Sequence, residues 1–471
     1  MKKNEIIEGR ITRIDYPNKG VMETGEGRVV IKNALPGQVV RCRIKKARGD
    51  RAEGILLEVL QEAPDAVASP CPHFGICGGC TFLTVPYVKV LGMKEQQVRG
   101  LLRPVLASQK EHYVWEGIKT SPVRYGYRNK MEFTFGDTEK DGPLALGMHR
   151  SGSMHDIVTV SDCCIIDEDY RRILRASRDY FGAHYARGEI SFYHRIQGKG
   201  YLRHLIVRKA AATGEILVDL VTTTQEEHDL EPYVDRLRAL ELSGSIVGIL
   251  HTVNDSVADV VKDEGTEILF GQDHFYEELL GLRFRITPFS FFQTNSYSAA
   301  VLYETVRDYV KSIDARTGNV EARDEGRFIL DLYCGTGTIS QILAPIARRV
   351  VGVELVPEAV EAAKENASMN HLDNCVFIAG DVLEVLDSLP EPPDLIILDP
   401  PRDGVHPKAL KKIVSYGAPN LVYVSCKPTS LVRDLGILLE SGYIVRRAVA
   451  LDQFVFTSHV ECCVLLQKKY G

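Results

Sequence analysis

The chain has 471 residues, 45% of them hydrophobic and 25% charged, the composition of ordinary globular domains rather than of a disordered chain. That length exceeds one typical domain, so two or three are expected. A formal charge of −6 excludes a uniformly basic coat, and no apolar run approaches the roughly 20 residues needed to cross a bilayer. The opening MKKNEIIEGR has no apolar core behind its lysines, unlike a secretory signal, so a cytoplasmic location is expected. In a reducing compartment, eleven cysteines point to metal binding or chemistry rather than to a disulfide framework.

Residues 1–60 alternate apolar and polar positions between Gly, Pro-Gly and Gly-Asp turns, which predicts a small β-barrel of the OB type. The segment carries thirteen Lys/Arg against eight Asp/Glu, a local basic excess that can attract phosphate within an acidic chain. A solvated basic face reads equally well from charge alone. Around Ala34-Leu35-Pro36-Gly37 and the basic strand after it, the segment resembles a TRAM domain, which implies RNA binding.

Residues 61–285 predict a mixed α+β central domain. Pro64 to Pro70 reads as a linker, followed by a cysteine cluster, a helix over about 86–110 ended or kinked near Pro104, and a second helix near 167–186. From 286 to 471 the pattern becomes regular. FILDLY, VVGVEL, CVFIAG, LIILDP and LVYVSC are short apolar runs separated mostly by helical stretches, which predicts a doubly wound parallel sheet. Two closing strand candidates, YIVRRAVALDQF and HVECCVLLQK, suit a class I (Rossmann-like) methyltransferase better than a plain dinucleotide fold.

Candidate binding residues follow from position in that pattern. Asp331 to Thr338 (DLYCGTGT) lies between a strand and a helix, where Gly335 and Gly337 permit a tight turn and close approach of a ligand. Glu354 ends the next strand, suited to accept hydrogen bonds from ribose hydroxyls, and Asp381 follows the third, suited to an adenine edge. Ser340 replaces the third glycine of the dinucleotide pattern, which favours S-adenosylmethionine over a pyrophosphate cofactor. Gln293 offers a donor and an acceptor to a ligand or a uracil edge. Phe291 suits stacking on the base, although a Phe-Phe pair is more often core. Asn295 suits the cap of the helix that follows.

The chemistry is read from the last strands. Asp399 opens DPPRDG at the carboxyl end of the fourth, where Arg402 replaces the aromatic residue of amino-methylating enzymes. Cys426 ends the fifth, where a thiolate can push electrons into a pyrimidine, and Glu461 is the candidate proton acceptor, ranked ahead of His459. With SFFQTN, DLYCGTGT, DPPRDG, YVSCKP and HVE in this order, the chain resembles the RNA uracil-5 methyltransferase family over nearly its whole length. The resemblance implies that S-adenosylmethionine is bound by Gln293, Tyr333, Glu354 and Asp381, and Gly335, Gly337 and Thr338 of the turn are further candidate cofactor residues. It implies Cys426 as nucleophile, Glu461 as proton acceptor, and Asp399 holding the uracil edge or the cofactor. It also implies that the helix over about 86–110 folds onto the methyltransferase domain, so that the domain boundary is discontinuous. Thr338 stands where Asn is frequent in the family, and Lys427 where Asn is common.

Cys71, Cys77 and Cys80 lie on a Gly-rich loop and Cys163 and Cys164 far downstream, spacings that leave zinc and an iron–sulfur cluster both open. The resemblance implies a 4Fe–4S cluster with Cys163 as its fourth ligand. For RNA contact, Tyr125, Tyr127, Arg128 and Lys130 interleave aromatics with cations, and Lys199, Arg203, His204, Arg208 and Lys209 form a second basic stretch. The expected partner is RNA, 23S ribosomal RNA ahead of transfer RNA, with no membrane and no protein partner implied. A cytosine-5 RNA methyltransferase lacks support, because DPPRDG holds no second cysteine. A noncatalytic RNA-binding factor would have lost Cys426 or Glu461.

Overall fold

A computed structural model describes every residue except 154, 259–260, 318–325, 387–388, 390 and 470–471. The first five strands, β1 (Ile6–Asp15), β2 (Lys19–Thr24), β3 (Gly27–Lys32), β4 (Val39–Arg48) and β5 (Arg51–Gln61), close into a barrel in the order β1-β2-β3-β5-β4. Strand alternation sets its inside and outside. Val40, Cys42 and Ile44 on β4 are fully buried, while Arg43, Lys45 and Lys46 face out.

Helix α1 (Tyr87–Leu106) joins two cores. Its stripe of Tyr87 and Val90 packs with the central domain, whereas Val98, Leu102 and Leu106 pack with the last part of the chain. The strand after it, β6 (Val114–Lys119), leaves for that last part too. What remains of the middle is a seven-stranded sheet: β7 (Lys130–Asp137), β8 (Leu144–His149), β9 (Ile157–Thr159), β10 (Leu202–Lys209), β11 (Glu215–Thr222), β12 (Ser245–Val253) and β13 (Thr266–Gly271), in the order β13-β12-β11-β10-β7-β8-β9. Helices α2 (Glu168–Ala186) and α3 (Glu231–Arg238) pack on it through Phe181 and Tyr233, with ring centroids 4.7 Å apart. Asp167 caps α2, accepting from the Asp169 N–H at 3.0 Å.

The last part begins with a hairpin, β14 (Phe275–Leu279) and β15 (Leu282–Ile286), then α4 (Ser296–Thr317), β16 (Phe328–Leu332), α5 (Thr338–Leu343), β17 (Arg349–Glu354), α6 (Pro357–Met369), β18 (Cys375–Ala379), α7 (Val382–Val385) and β19 (Leu395–Leu398). It ends with α8 (Pro407–Ser415), β20 (Asn420–Ser425), α9 (Pro428–Glu440), β21 (Tyr443–Leu451) and β22 (Glu461–Lys468). The sheet order is β18-β17-β16-β19-β20-β22-β21-β6, with the first five strands parallel and β22 antiparallel to both neighbours. All five residues of β16 are buried, as expected of a strand covered on both faces.

Packing divides the chain differently from the 61–285 and 286–471 spans read from the sequence. The eighth strand, β6, comes from residue 114, and Phe275 and Leu279 of the hairpin pack with Leu302 and Ile329. Apolar periodicity locates strands; it does not say which sheet recruits them.

Candidate active site

The glycine-rich turn after β16 is built as close approach requires. Gly335 and Gly337 have φ of 53° and 73°, and a Cβ on Gly337 would stand 2.6 Å from Cε1 of Phe377. The Gly335 N–H donates to Glu354 Oε2 at 3.1 Å, so the acid at the end of β17 holds the turn as well as facing the cleft. Tyr333 is itself left-handed (φ 65°), and burial pushes its phenol up to about 12. Thr338 opens α5 and is buried at the same wall.

Antiparallel register brings the reacting residues together. Ser425 lies opposite Cys462, so one step outward Cys426 meets Glu461. Burial and then the Asp399 charge push the Glu461 carboxyl up to about 8, opposed by the Arg402 guanidinium. Asp399 rises to about 7 through burial and Asp331. Burial, followed by Glu461 and Asp399, pushes the Cys426 thiol up to about 12. Three groups that would carry negative charge thus share one buried corner, and protons shared among them relieve it.

One cavity of about 1660 Å³ connects these parts. Its lining includes Tyr333, Gly335, Thr338 and Glu354 together with Cys426, Glu461, Asp399 and Arg402. Gln293 and Phe291 line it too. Gln293 is buried, its side-chain oxygen accepting from Gln453 Nε2 at 2.5 Å. The Phe-Phe pair divides: Phe292 is core, whereas Phe291 is 66% exposed and faces Gly335. Asn295 caps α4, accepting from the Ser298 N–H at 3.1 Å. Asp381 is not among the lining residues. It is exposed and caps α7 through the Leu383 N–H at 2.7 Å.

The same cavity is also lined by Cys71, Cys77, Cys80 and Cys163. Cys164 does not line it; its thiol bonds to Cys71, and that bond is the main cause of a lowered Cys71 thiol. Among the described residues no three His, Cys, Asp or Glu side chains stand as a closed metal-holding group.

Several contributors carried no readable signal. Lys94, buried on α1, donates to the carbonyl oxygens of Phe454 (3.2 Å) and His459 (2.8 Å) and pairs with Asp452, fixing the segment that leads into Glu461. Arg402 donates to His459 Nδ1 at 3.0 Å, and burial lowers that imidazole to about 4. Both interactions join residues far apart in the chain, beyond any spacing rule. The second basic stretch is a correction. Arg208 is buried and donates to the carbonyl oxygens of Thr287 (2.6 Å) and Ser290 (2.8 Å). Lys209 binds Asp167 and Asp169, and Arg203 holds the carbonyl oxygens of Asn254 and Ser256. Arg203, Arg208 and Lys209 lie on a central strand and stitch the fold, so they are not a surface offered to RNA, whereas Lys199, before that strand, is exposed. Tyr127 is likewise buried, its hydroxyl donating to the Val455 carbonyl at 3.0 Å.

A parallel sheet ending in an antiparallel strand, with a glycine turn and a paired acid at its carboxyl edge, defines a class I methyltransferase dependent on S-adenosylmethionine. A family model described as a methyltransferase domain matches residues 323–446. An uncharacterized RNA methyltransferase of Clostridium tetani is 45% identical over 469 residues, covering 100% of this chain and 99% of its own. Another, from Bacteroides thetaiotaomicron, is 33% identical and covers 95% and 98%. The chain belongs to the RNA methyltransferases. Among solved structures it is similar to the Pyrococcus abyssi tRNA (uracil-54, C5)-methyltransferase in complex with S-adenosyl-L-homocysteine. That match has a TM-score of 0.75 and 25% identity, covering 98% of this chain and 100% of the other.

Proposed function

We propose that the protein methylates carbon 5 of a uridine in RNA through a covalent bond between Cys426 and carbon 6 of the ring. The observation that carries this reading is the corner where Cys426, Glu461 and Asp399 meet on the wall of the cavity that also holds the glycine turn. S-adenosylmethionine supplies the methyl group. Cys426 gives its proton to solvent as its sulfur adds to carbon 6, and the electron pair moves to carbon 5, making it nucleophilic toward the methyl. Glu461 then takes the carbon 5 proton, the ring double bond re-forms, and the sulfur leaves. Asp399, its carboxyl pushed up to about 7 by burial, is proposed to hold the uracil edge or the cofactor. Phe291 offers its open face to the base, and Gln293 its amide. Gln293, Tyr333, Gly335, Gly337, Thr338 and Glu354 are the proposed cofactor residues, with Asp381 at the margin.

The proposed substrate is ribosomal RNA, 23S rRNA first. Transfer RNA is the second reading, favoured by what the Pyrococcus abyssi protein acts on. The barrel is proposed to hold the RNA. Cys71, Cys77, Cys80 and Cys163 are proposed to ligate a 4Fe–4S cluster; four thiols on one wall are the soft donor set such a centre needs, and zinc is the other outcome of a metal assay. The cluster would brace the cavity wall, since methyl transfer moves no electrons.

The test is Cys426→Ala with RNA containing 5-fluorouridine. Wild type is expected to form a denaturation-resistant adduct and the variant to form none, with turnover down at least a thousandfold. Turnover by the variant, or an adduct on it, overturns the mechanism. Mapping 5-methyluridine in both RNA classes from cells lacking the protein decides the substrate.

A further inference from the structure

Tyr125 stands on the loop between β6 and β7, 48% exposed, with one ring face stacked on Phe456 at 5.5 Å and an interplanar angle of 23°. Phe456 is buried and held left-handed (φ 62°), an uncommon conformation for an aromatic residue. Its carbonyl accepts the N–H groups of Thr81 (2.8 Å) and Phe82 (2.9 Å), and its ring also meets Tyr87 at 5.6 Å. The loop is tied down on the C-terminal side of Tyr125. The Gly126 N–H donates to the Cys164 carbonyl at 3.0 Å, and the Asn129 N–H to the Thr294 carbonyl at 3.0 Å. Nothing in the fold requires a tyrosine here merely to cover Phe456; an aliphatic chain would do that.

We propose that the outer face of Tyr125 is a stacking platform for a nucleobase next to the methylated uridine. Three observations converge. The ring is exposed on one face and immobilised by its loop and its stack, so binding costs it little further ordering. Its partner Phe456 is flanked in the chain by Phe454 and Thr457, both on the wall of the reaction cavity, so the platform sits at the rim where the strand must pass. The guanidinium of Arg124 beside it lies 4.3 Å over the Tyr87 ring and has no carboxylate partner among the described residues, leaving its charge available to the adjoining phosphate. An unstacked base has a π-face of its own to offer, and every base offers one, so the platform selects an open strand rather than a sequence. The inference rests on RNA entering the cavity at Cys426.

The experiment measures affinity for a short fluorescein-labelled single-stranded RNA with one central uridine, and for copies carrying an abasic residue at each neighbouring position. Tyr125→Ala and Tyr125→Leu are each expected to raise Kd between about five- and a hundredfold. Tyr125→Phe is expected to stay within about threefold of wild type, and kcat at saturating RNA to be unchanged while KM rises. The loss should vanish on the one RNA whose missing base faces the ring. Leu keeps Phe456 covered, and S-adenosylhomocysteine affinity and Tm show that each variant is folded. Unchanged affinity in the Leu variant, or a loss equal on every abasic RNA, overturns the platform. If wild type methylates no uridine, the reaction reading falls, while the affinity series still decides the platform.

Discussion

Glu461 is held up to about 8, mainly by burial, whereas an exposed glutamate ionises near 4.5. Between those values the unfolded chain has released this proton and the folded chain keeps it, so stability falls as pH rises. Glu461→Gln has no such proton to lose. The variant is therefore expected to gain on wild type as pH climbs from 5 to 8.5, by up to a few kcal/mol, read as a widening Tm difference. The same proton decides chemistry. As base, Glu461 must be ionised, so single-turnover release of methylated RNA from the wild-type adduct should rise with pH toward about 8. Glu461→Gln is expected to form the sulfur–carbon bond and accept the methyl, then stall. A methylated RNA–protein adduct that survives denaturation, on ordinary uridine, is the signature to look for by mass spectrometry. Free release of 5-methyluridine RNA at the wild-type rate would remove Glu461 from the role. Arg402 pulls against the rise at both Glu461 and Cys426, so Arg402→Gln should move the pH profile upward.

At the scale of elements, helix α1 is the part that makes two bodies one site. Lys94 fastens it to the segment before Glu461, and the pairing with Asp452 is wholly buried. Lys94→Met leaves that carboxylate without its cation, an expected loss of about 3–5 kcal/mol in denaturant melts. Adding Asp452→Asn should restore much of it, since the lone charge is then gone. The glycine turn gives a second check. Gly337→Ala is expected to lower Tm and abolish measurable S-adenosylhomocysteine binding, because the added methyl meets the Phe377 ring. These elements differ in how far the sequence foretold them. The turn was legible because backbone geometry demands glycine, and Cys426 because strand order fixes where reactive ends fall. Lys94, Arg402 and the Tyr125–Phe456 stack were not, since each depends on a contact between distant residues. The basic run of β10 misled for a related reason. Composition shows charge, but only burial shows that Arg208 is turned inward to carbonyl oxygens.

The whole molecule carries a net charge of −6, yet as an RNA methyltransferase it must approach a polyanion. Distribution resolves this. On the barrel, Arg41 is neutralised by Glu8 (2.7 Å) and Glu58 (2.6 Å), whereas Arg43, Lys45 and Lys46 on the same strand are exposed and have no carboxylate partner among the described residues. Arg203, Arg208 and Lys209 of the other basic run are engaged inside the fold, and the barrel is the proposed place where phosphates displace counterions. Each phosphate neutralised contributes about −0.7 to −0.9 to the slope of log K against log salt. Replacing Arg43, Lys45 and Lys46 together by glutamine is expected to weaken RNA binding at low salt and flatten that slope by about two to three. S-adenosylhomocysteine affinity, measured by calorimetry on the same preparations, should not move, since the cofactor end of the cavity is built from other strands. A slope unchanged by the triple substitution would move the phosphate contacts off the barrel and onto the rim where Arg124 and Arg128 lie. Those two cations, neutralised together, would then be the pair that flattens the slope.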